Sequence, residues 1–274
     1  MDTVILSIII LNYNTKHLLR LMLKNLVALN LTISHEIIVV DNHSQDDSVK
    51  MVKKYFPQVR LIENDKNVGH AAGNNIGMRV AKGKYFLIIN SDIIIHQTKA
   101  LYDIIEYMEQ HTDIGILGPK LLNGDGSVQY SCFRPYRLLT PIFRRTPLGK
   151  LALAKRDLAR HLMTDNNHTQ IQTVDWLLGA MLLIRAQAVQ EHGFFNERFF
   201  LYFADYELCD RLCHYHYKVV YYPNVAMVHY HRRESADGSI WSGLGSLLNY
   251  TTRVHLTDWF TYLAIKQQGY DKNS

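Results

Sequence analysis

The chain has 274 residues, enough to bury a large core as one α/β domain or a domain with a smaller appendage. Hydrophobic residues at 47% and charged residues at 20% are ordinary globular values and exclude a chain disordered throughout. A formal charge of +5 with histidine neutral is too mild to indicate a nucleic-acid binder, and three cysteines (Cys132, Cys209, Cys213) are too few for a disulfide framework, which fits a reducing, cytoplasmic compartment.

Val4–Leu11 is a continuous apolar run, as expected of a strand covered on both faces, and too short for a signal peptide. Lys16–Leu29 follows with Leu19, Met22, Leu23 and Leu26 at helical spacing. Glu36–Val40 reads as a second strand ending at Asp41, Asp46–Phe56 as a helix stopped by Pro57, and Val59–Asn64 as a third strand. Ala71–Ala81 is a third helix and Tyr85–Asn90 a fourth strand. This order predicts a Rossmann-like, mostly parallel sheet with helices on both faces. Asn123-Gly124-Asp125-Gly126 is a turn joining Gly118–Leu122 to Ser127–Ser131 as a hairpin. The stretch from Arg134 to Arg160 holds eight basic residues against Asp157 alone and reads as a surface insertion suited to a phosphate or an anionic membrane face. Cys209 and Cys213, four apart in a helical run, read as buried core thiols rather than a zinc pair. Val219–His231 is a further strand, and Ile240–Ile265 is helical. No run of eighteen apolar residues occurs, so no membrane-spanning helix is expected.

In parallel α/β sheets ligands bind outside the carboxyl ends of the strands. Those ends here are Asn12-Tyr13-Asn14, Asp41-Asn42-His43-Ser44 and Asn90-Ser91-Asp92, all polar. Each run alone is a turn or a helix cap as readily as a site. Together they are a coherent ligand-binding edge. Asp92 at a strand tip is suited to a hard cation that keeps coordination positions for phosphate. Glycines at 69, 73 and 77 allow close backbone approach, but their spacing is not that of a nicotinamide site.

The runs Ser-Ile-Ile-Ile-Leu-Asn-Tyr-Asn, Val-Val-Asp-Asn-His-Ser-Gln-Asp-Asp-Ser, Asn-Val-Gly-His-Ala-Ala-Gly-Asn-Asn-Ile-Gly and Tyr-Phe-Leu-Ile-Ile-Asn-Ser-Asp, in that order, resemble family 2 glycosyltransferases with the GT-A fold. Val174–Ala180, Phe199–Cys209 and Pro223 followed by His229 are similar to the rhamnosyltransferase-like branch. The resemblance covers residues 4 to 235. It implies that Tyr13 and Asp41 hold the nucleotide base, with Asn67, Gly69 and Asn74 near the ribose and diphosphate, and Asn90 and Ser91 beside them. It implies Asp92 and His229 at a divalent metal, Mg²⁺ or Mn²⁺. Asp205 matches the catalytic base, while Trp176 and Gly179 match the acceptor side. The sequence departs from the family at Asn90, where an acid is usual, and at Ala204. Glu207 is the fallback base, and His231 shares a strand face with His229.

These expectations amount to an inverting glycosyltransferase that moves a sugar, rhamnose by the branch resemblance, from a dTDP- or UDP-linked donor to a saccharide or lipid-linked acceptor in cell-surface polysaccharide synthesis. Residues 1–235 form the catalytic domain, with a donor half to about 125 and an acceptor half from 126. Residues 236–274 form a C-terminal helical extension. The expected site is cytoplasmic, at the inner membrane face. The competing reading is a non-catalytic nucleotide-sugar-binding module, prompted by Asn90 and Ala204. A nucleotidyltransferase would need a Gly-rich basic loop after the first strand, where Asn-Tyr-Asn-Thr-Lys stands.

Overall fold

The computed structural model describes residues 4–230 and 250–270. Its first half alternates as expected: β1 (Leu6–Asn12), α1 (Lys16–Ala28), β2 (His35–Asp41), α2 (Ser48–Tyr55), β3 (Arg60–Glu63), α3 (His70–Val80) and β4 (Tyr85–Ile89). β1 pairs in parallel with β2 and β4, and β2 with β3, giving the order β3-β2-β1-β4. The largely apolar run of β1 has a direct cause. Leu6, Ile8 and Ile10 pack with Leu19, Met22 and Leu23 of α1 and Met51 of α2. Ile9 points the other way, to Ala71 and Met78 of α3. Period-two alternation with both faces covered favours apolar side chains throughout, and the buried Ser7 within the run is paired, its Oγ donating to Glu36 Oε1 at 2.7 Å and accepting the Gly83 N–H at 2.8 Å. α3 reaches the sheet through its glycines: a Cβ at Gly77 would lie 2.5 Å from Ile9, and one at Gly73 2.5 Å from Leu11. These two glycines serve close packing.

The second half continues as β5 (Ile93–Ile94), α4 (Thr98–Gln110), β6 (Ile114–Leu122), β7 (Val128–Gln129), β8 (Cys132–Phe133), α5 (Thr140–Arg145), a 3-10 turn (Pro147–Lys150) and α6 (Ala152–Leu162). Then come β9 (Gln172–Thr173), β10 (Trp176–Leu177), β11 (Met181–Arg185), α7 (Ala186–His192), α8 (Ala204–His214), β12 (Lys218–His229) and α9 (Tyr250–Gln268). The sheet extends as β4-β11-β6-β12-β5. It is parallel over its first four strands. Beyond them β11 runs antiparallel to both neighbours, β12 parallel to β6, and β5 antiparallel to β12. The expected hairpin forms across residues 123–126, with Leu122 opposite Val128.

Three features differ from the sequence reading. α4, with Leu101, Ile104, Ile105 and Met108 buried, is an element the pattern had not supplied. The basic stretch is folded into α5, the 3-10 turn and α6, and its aromatic and histidine side chains are core: His161 is buried against Phe133 and Tyr136, and burial drives its pKa down to about 3. Cys209 is buried as expected, but Cys213 is exposed. The helix α9 sits on the same core as the sheet, through Trp259, Tyr262 and Ile265. His231 lies outside the described residues.

Candidate active site

The tips of β1, β2 and β4 meet in one hydrogen-bonded network. Asn12 donates through Nδ2 to Asp41 Oδ2 at 2.7 Å and to Ser44 Oγ at 3.0 Å. Asp41 Oδ1 accepts the Ser44 N–H at 2.8 Å, so both carboxylate oxygens brace the loop that follows β2. Thr15 bridges from Asn12 Oδ1 to Ser91 Oγ, joining the first tip to the fourth. Asn42 donates to Asn67 Oδ1 and to the Gly69 carbonyl, each at 3.1 Å, and accepts from Asn64 at 2.8 Å. Buried polar side chains satisfied in this way fix a single loop geometry. Tyr13 stands outside the network with its ring half exposed, free to stack on a flat ligand.

Asp92 and His229 are brought together by strand pairing. β5 lies antiparallel to the end of β12 with Ile93 opposite His229, and the Tyr230 N–H donates to the Asp92 carbonyl at 2.9 Å. His229 Nδ1 lies 2.8 Å from Gln129 Oε1, and its Nε2 lies 3.3 Å from Asp92 Oδ1. Asp92 Oδ1 is buried and has no hydrogen-bond partner among the described residues. A buried carboxylate oxygen and an imidazole nitrogen at this distance are matched by a cation or a proton between them. Two ligands at right angles around a small divalent ion stand about 3.0 Å apart, close to the separation here. Among the described residues no cluster of three or more His, Cys, Asp or Glu surrounds the pair, so a cation held there would keep most of its positions for other oxygen ligands. Asn90 supplies no charge; its N–H donates to the Ala180 carbonyl at 2.9 Å and so fixes the tip of β4 against the loop before β11.

Asp205 opens α8. Its Oδ2 accepts the Gly179 N–H at 2.9 Å, and its Oδ1 accepts the Tyr206 N–H at 2.9 Å. Gly179 lies flat against the carboxyl, where a Cβ would already touch it at 3.4 Å. Burial raises the Asp205 pKa, against the opposing pull of the Gly179 amide and the charge of His70. Burial lowers that of His70, which is in electrostatic contact with Asp205. The residue before the helix, Phe203, has φ +64, a left-handed conformation that costs a bulky side chain on the order of 1–3 kcal/mol. Its ring is held among Tyr136, His255 and Trp259, which sustains the turn that presents Asp205. The loop before it is tied at both ends. The Phe200 carbonyl accepts the His70 N–H at 2.7 Å, and the Tyr202 N–H donates to Asp258 of α9 at 3.0 Å. Gly69 has φ +87, and a Cβ there would lie 2.6 Å from the Phe200 oxygen.

Several expected site residues occupy other roles. Asn74 is buried and donates to the His70 carbonyl at 3.0 Å, so it secures the start of α3 instead of facing a ligand. Trp176 is 4% exposed and stacked on Phe133 at 4.1 Å, so it packs in the core. Glu207 is spent on a buried ion pair with Arg211 at 2.8 Å, which removes it as an alternative base. Gln129 and Asp258 had no signal in the sequence, and His70 and Phe200 stood there only as unassigned members of the motifs that carry the resemblance. Each matters through a partner at least 56 residues away, apart from the shared motif that holds His70. A cavity of about 630 Å³ lined by His192, Phe195, Glu207, Arg211 and Tyr270 touches none of the site residues.

Comparison with known proteins agrees with this geometry. The family model described as Glycosyl transferase family 2 matches residues 7–173. The low-salt glycan biosynthesis hexosyltransferase of Haloferax volcanii is 27% identical over 75% of this chain and 61% of its own length. The N-acetylglucosaminyl-diphospho-decaprenol L-rhamnosyltransferase of Mycobacterium tuberculosis is 24% identical over 71% of this chain and 66% of its own. The chain thus spans less than two thirds of the length of these relatives. A mannosyltransferase from Pyrobaculum calidifontis, solved with GDP-Man and Mn²⁺, shares the fold with a TM-score of 0.57 at 17% identity, over 84% of this chain and 58% of that one. No helix among the described residues is long and apolar enough to cross a membrane.

Proposed function

This chain belongs to glycosyl transferase family 2, and from that premise we propose that it is an inverting, metal-assisted glycosyltransferase that moves a sugar from a nucleoside-diphosphate donor to a saccharide or lipid-linked acceptor in glycan synthesis. One observation carries the reading: the orphaned oxygen of Asp92 beside His229 Nε2, at the same strand edge as the Asn12–Asp41 network. Asp92 and His229 would hold Mg²⁺ or Mn²⁺, whose chemistry is to neutralise charge on a leaving diphosphate. Tyr13 stacks on the base, with the Asn67–Gly69 backbone and Ser91 beside the ribose and phosphates. Asp41 acts one step back, by holding the loop.

Asp205 takes the proton of the acceptor hydroxyl. The freed oxygen lone pair attacks the anomeric carbon, and the bond from that carbon to the phosphate oxygen breaks. Each Asp205 oxygen accepts one backbone N–H and keeps a lone pair for this proton. Burial makes the carboxylate a stronger base than one in water, while the two amides hold its plane. Rhamnose as the sugar is favoured by the Mycobacterium tuberculosis relative, which is named as an L-rhamnosyltransferase; a dTDP-linked donor rests on the branch resemblance alone.

The test is a thermal-shift screen of nucleotide sugars with and without Mn²⁺, followed by a transfer assay with the stabilising donor. A metal-dependent rise in Tm with one donor class is expected. Binding without any donor turnover would favour the alternative of a non-catalytic sugar-nucleotide module.

A further inference from the structure

Residues 137–156 hold Arg137, Arg144, Arg145, Lys150, Lys155 and Arg156 and not one acid. The structure divides them between two sides of a folded layer. On the inner side Arg144 donates to the Tyr136 hydroxyl at 2.8 Å, and Arg145 lies over the Tyr202 ring at 4.9 Å, in the loop that leads to Asp205. On the outer side Leu153 is 76% exposed, Leu138 66% and Leu151 57%, with Leu139 and Leu148 about half exposed. Lys150, Lys155 and Arg156 are exposed beside them and make no ion pair with another described residue. Single exposed leucines are normal on a soluble surface; five within one short folded layer are not.

We infer that the outer face of residues 137–156 is a membrane-docking surface, which seats the molecule on an anionic lipid bilayer with the Asp205 loop on the layer's other side. Leucines at the most exposed positions enter the boundary between headgroups and acyl chains, while the long lysine and arginine side chains reach anionic headgroups. A second copy of the chain is a poor occupant, because two faces of the same positive charge would oppose one another. Nucleic acid is equally poor, since the outermost side chains are aliphatic and give bases nothing to stack on. Docking rests on the proposed transferase activity only for its purpose, the capture of a lipid-borne acceptor; the docking itself is measured without substrate.

The experiment is co-sedimentation of the full chain with phosphatidylglycerol-containing vesicles and with neutral phosphatidylcholine vesicles, at low and high salt. Partition into anionic vesicles that high salt releases is expected. Lys155→Gln with Arg156→Gln should weaken it about 25-fold, or about fivefold for each cation. Leu151→Ser with Leu153→Ser should weaken it about tenfold, and Leu138→Ser with Leu148→Ser similarly. Leu21→Ser, an exposed leucine on α1, should change nothing. Circular dichroism and thermal unfolding verify that each variant is folded. Absence of anionic-vesicle binding overturns the inference, as does unaltered binding by both leucine pairs. So does a dimer, seen by sedimentation velocity, that the leucine variants abolish. Failure of the transferase reading would appear elsewhere, as vesicle binding without any nucleotide-sugar thermal shift.

Discussion

The two regions of this molecule proposed to serve donor and acceptor hold their side chains in different ways. At the tips of β1, β2 and β4, short polar side chains hydrogen-bond one another: Asn12 to Asp41, Thr15 to Ser91, Asn42 to Asn67. The geometry follows from which strands are adjacent. Around Asp205 the supports are instead a strained turn at Phe203, a stack of aromatic rings, and ties from α3 and α9. A network of hydrogen bonds resists displacement of any one member, whereas a loop tied at two points moves when either tie is released. The donor side is thus built as a fixed platform and the acceptor side as a positioned arm.

The largest effect should come from the arm's working group. Asp205→Asn is expected to lower turnover by about 10²–10⁴ while nucleotide-sugar affinity by calorimetry stays within a factor of a few. The acid limb of the parent's rate profile should lie above the ordinary carboxylate range, because burial raises this pKa. Near-normal turnover in the variant would remove Asp205 from the mechanism. Next, Asp92→Ala should cost donor binding in Mn²⁺ more than the roughly 10–100-fold typical of losing a residue behind a metal ligand. Binding in the absence of metal should be unaltered; equal losses in both conditions would mean that Asp92 serves only the fold.

Third, Asn42→Ala removes one hydrogen bond each from Asn67, Gly69 and Asn64 and should destabilise the fold by about 1–3 kcal/mol in urea unfolding. If the platform is cooperative, donor affinity falls with it; an affinity unmoved by the substitution would break the contrast between the halves. The smallest effect concerns a tie of the arm. Burial raises the Asp258 pKa from 3.8 to about 6. The folded chain therefore binds this proton more tightly than the unfolded chain. The resulting stability is present in full below about pH 4 and is lost as pH rises through about 6. Asp258→Asn keeps an acceptor for the Tyr202 N–H and removes the buried charge. Its Tm at pH 8 should rise by about 2 °C or more, with a flatter dependence between those limits. A lower Tm at pH 8 would show that the charge itself holds the loop.

The donor half was largely legible from sequence because its elements are local. Apolar runs and helical spacing located β1 to β4 and α1 to α3, and parallel topology then dictated that Asn12, Asp41 and Asn90 share an edge. α4 was missed even though Leu101, Ile104, Ile105 and Met108 carry the helical period, so that signal was present and unread. In the second half the hairpin and the β12 strand were read from pattern, while the Asp205 site was legible only by resemblance. The pairing of His229 with Asp92 depends on a two-residue strand, β5, too short to leave a pattern. The partner of His229 Nδ1, Gln129, comes from the other arm of the hairpin 100 residues away. A motif records which residues recur near a site, and not whether they face a ligand or support what does; Trp176 and Asn74 are both buried, one stacked on Phe133 and one bonded to the His70 carbonyl. The basic stretch was read as surface because charge dominates its composition, yet Tyr136 and His161 anchor it in the core.

Gly69 carries a consequence for anyone who would retarget this molecule. With no room for a Cβ against the Phe200 carbonyl, position 69 and the 199–203 loop form one mechanical joint between the halves. A mutant library that varies the loop to admit new acceptors must leave residue 69 alone. A change at 69 made to alter the nucleotide pocket would be felt first at the acceptor. If the proposed roles hold, this joint links the specificities for the two substrates.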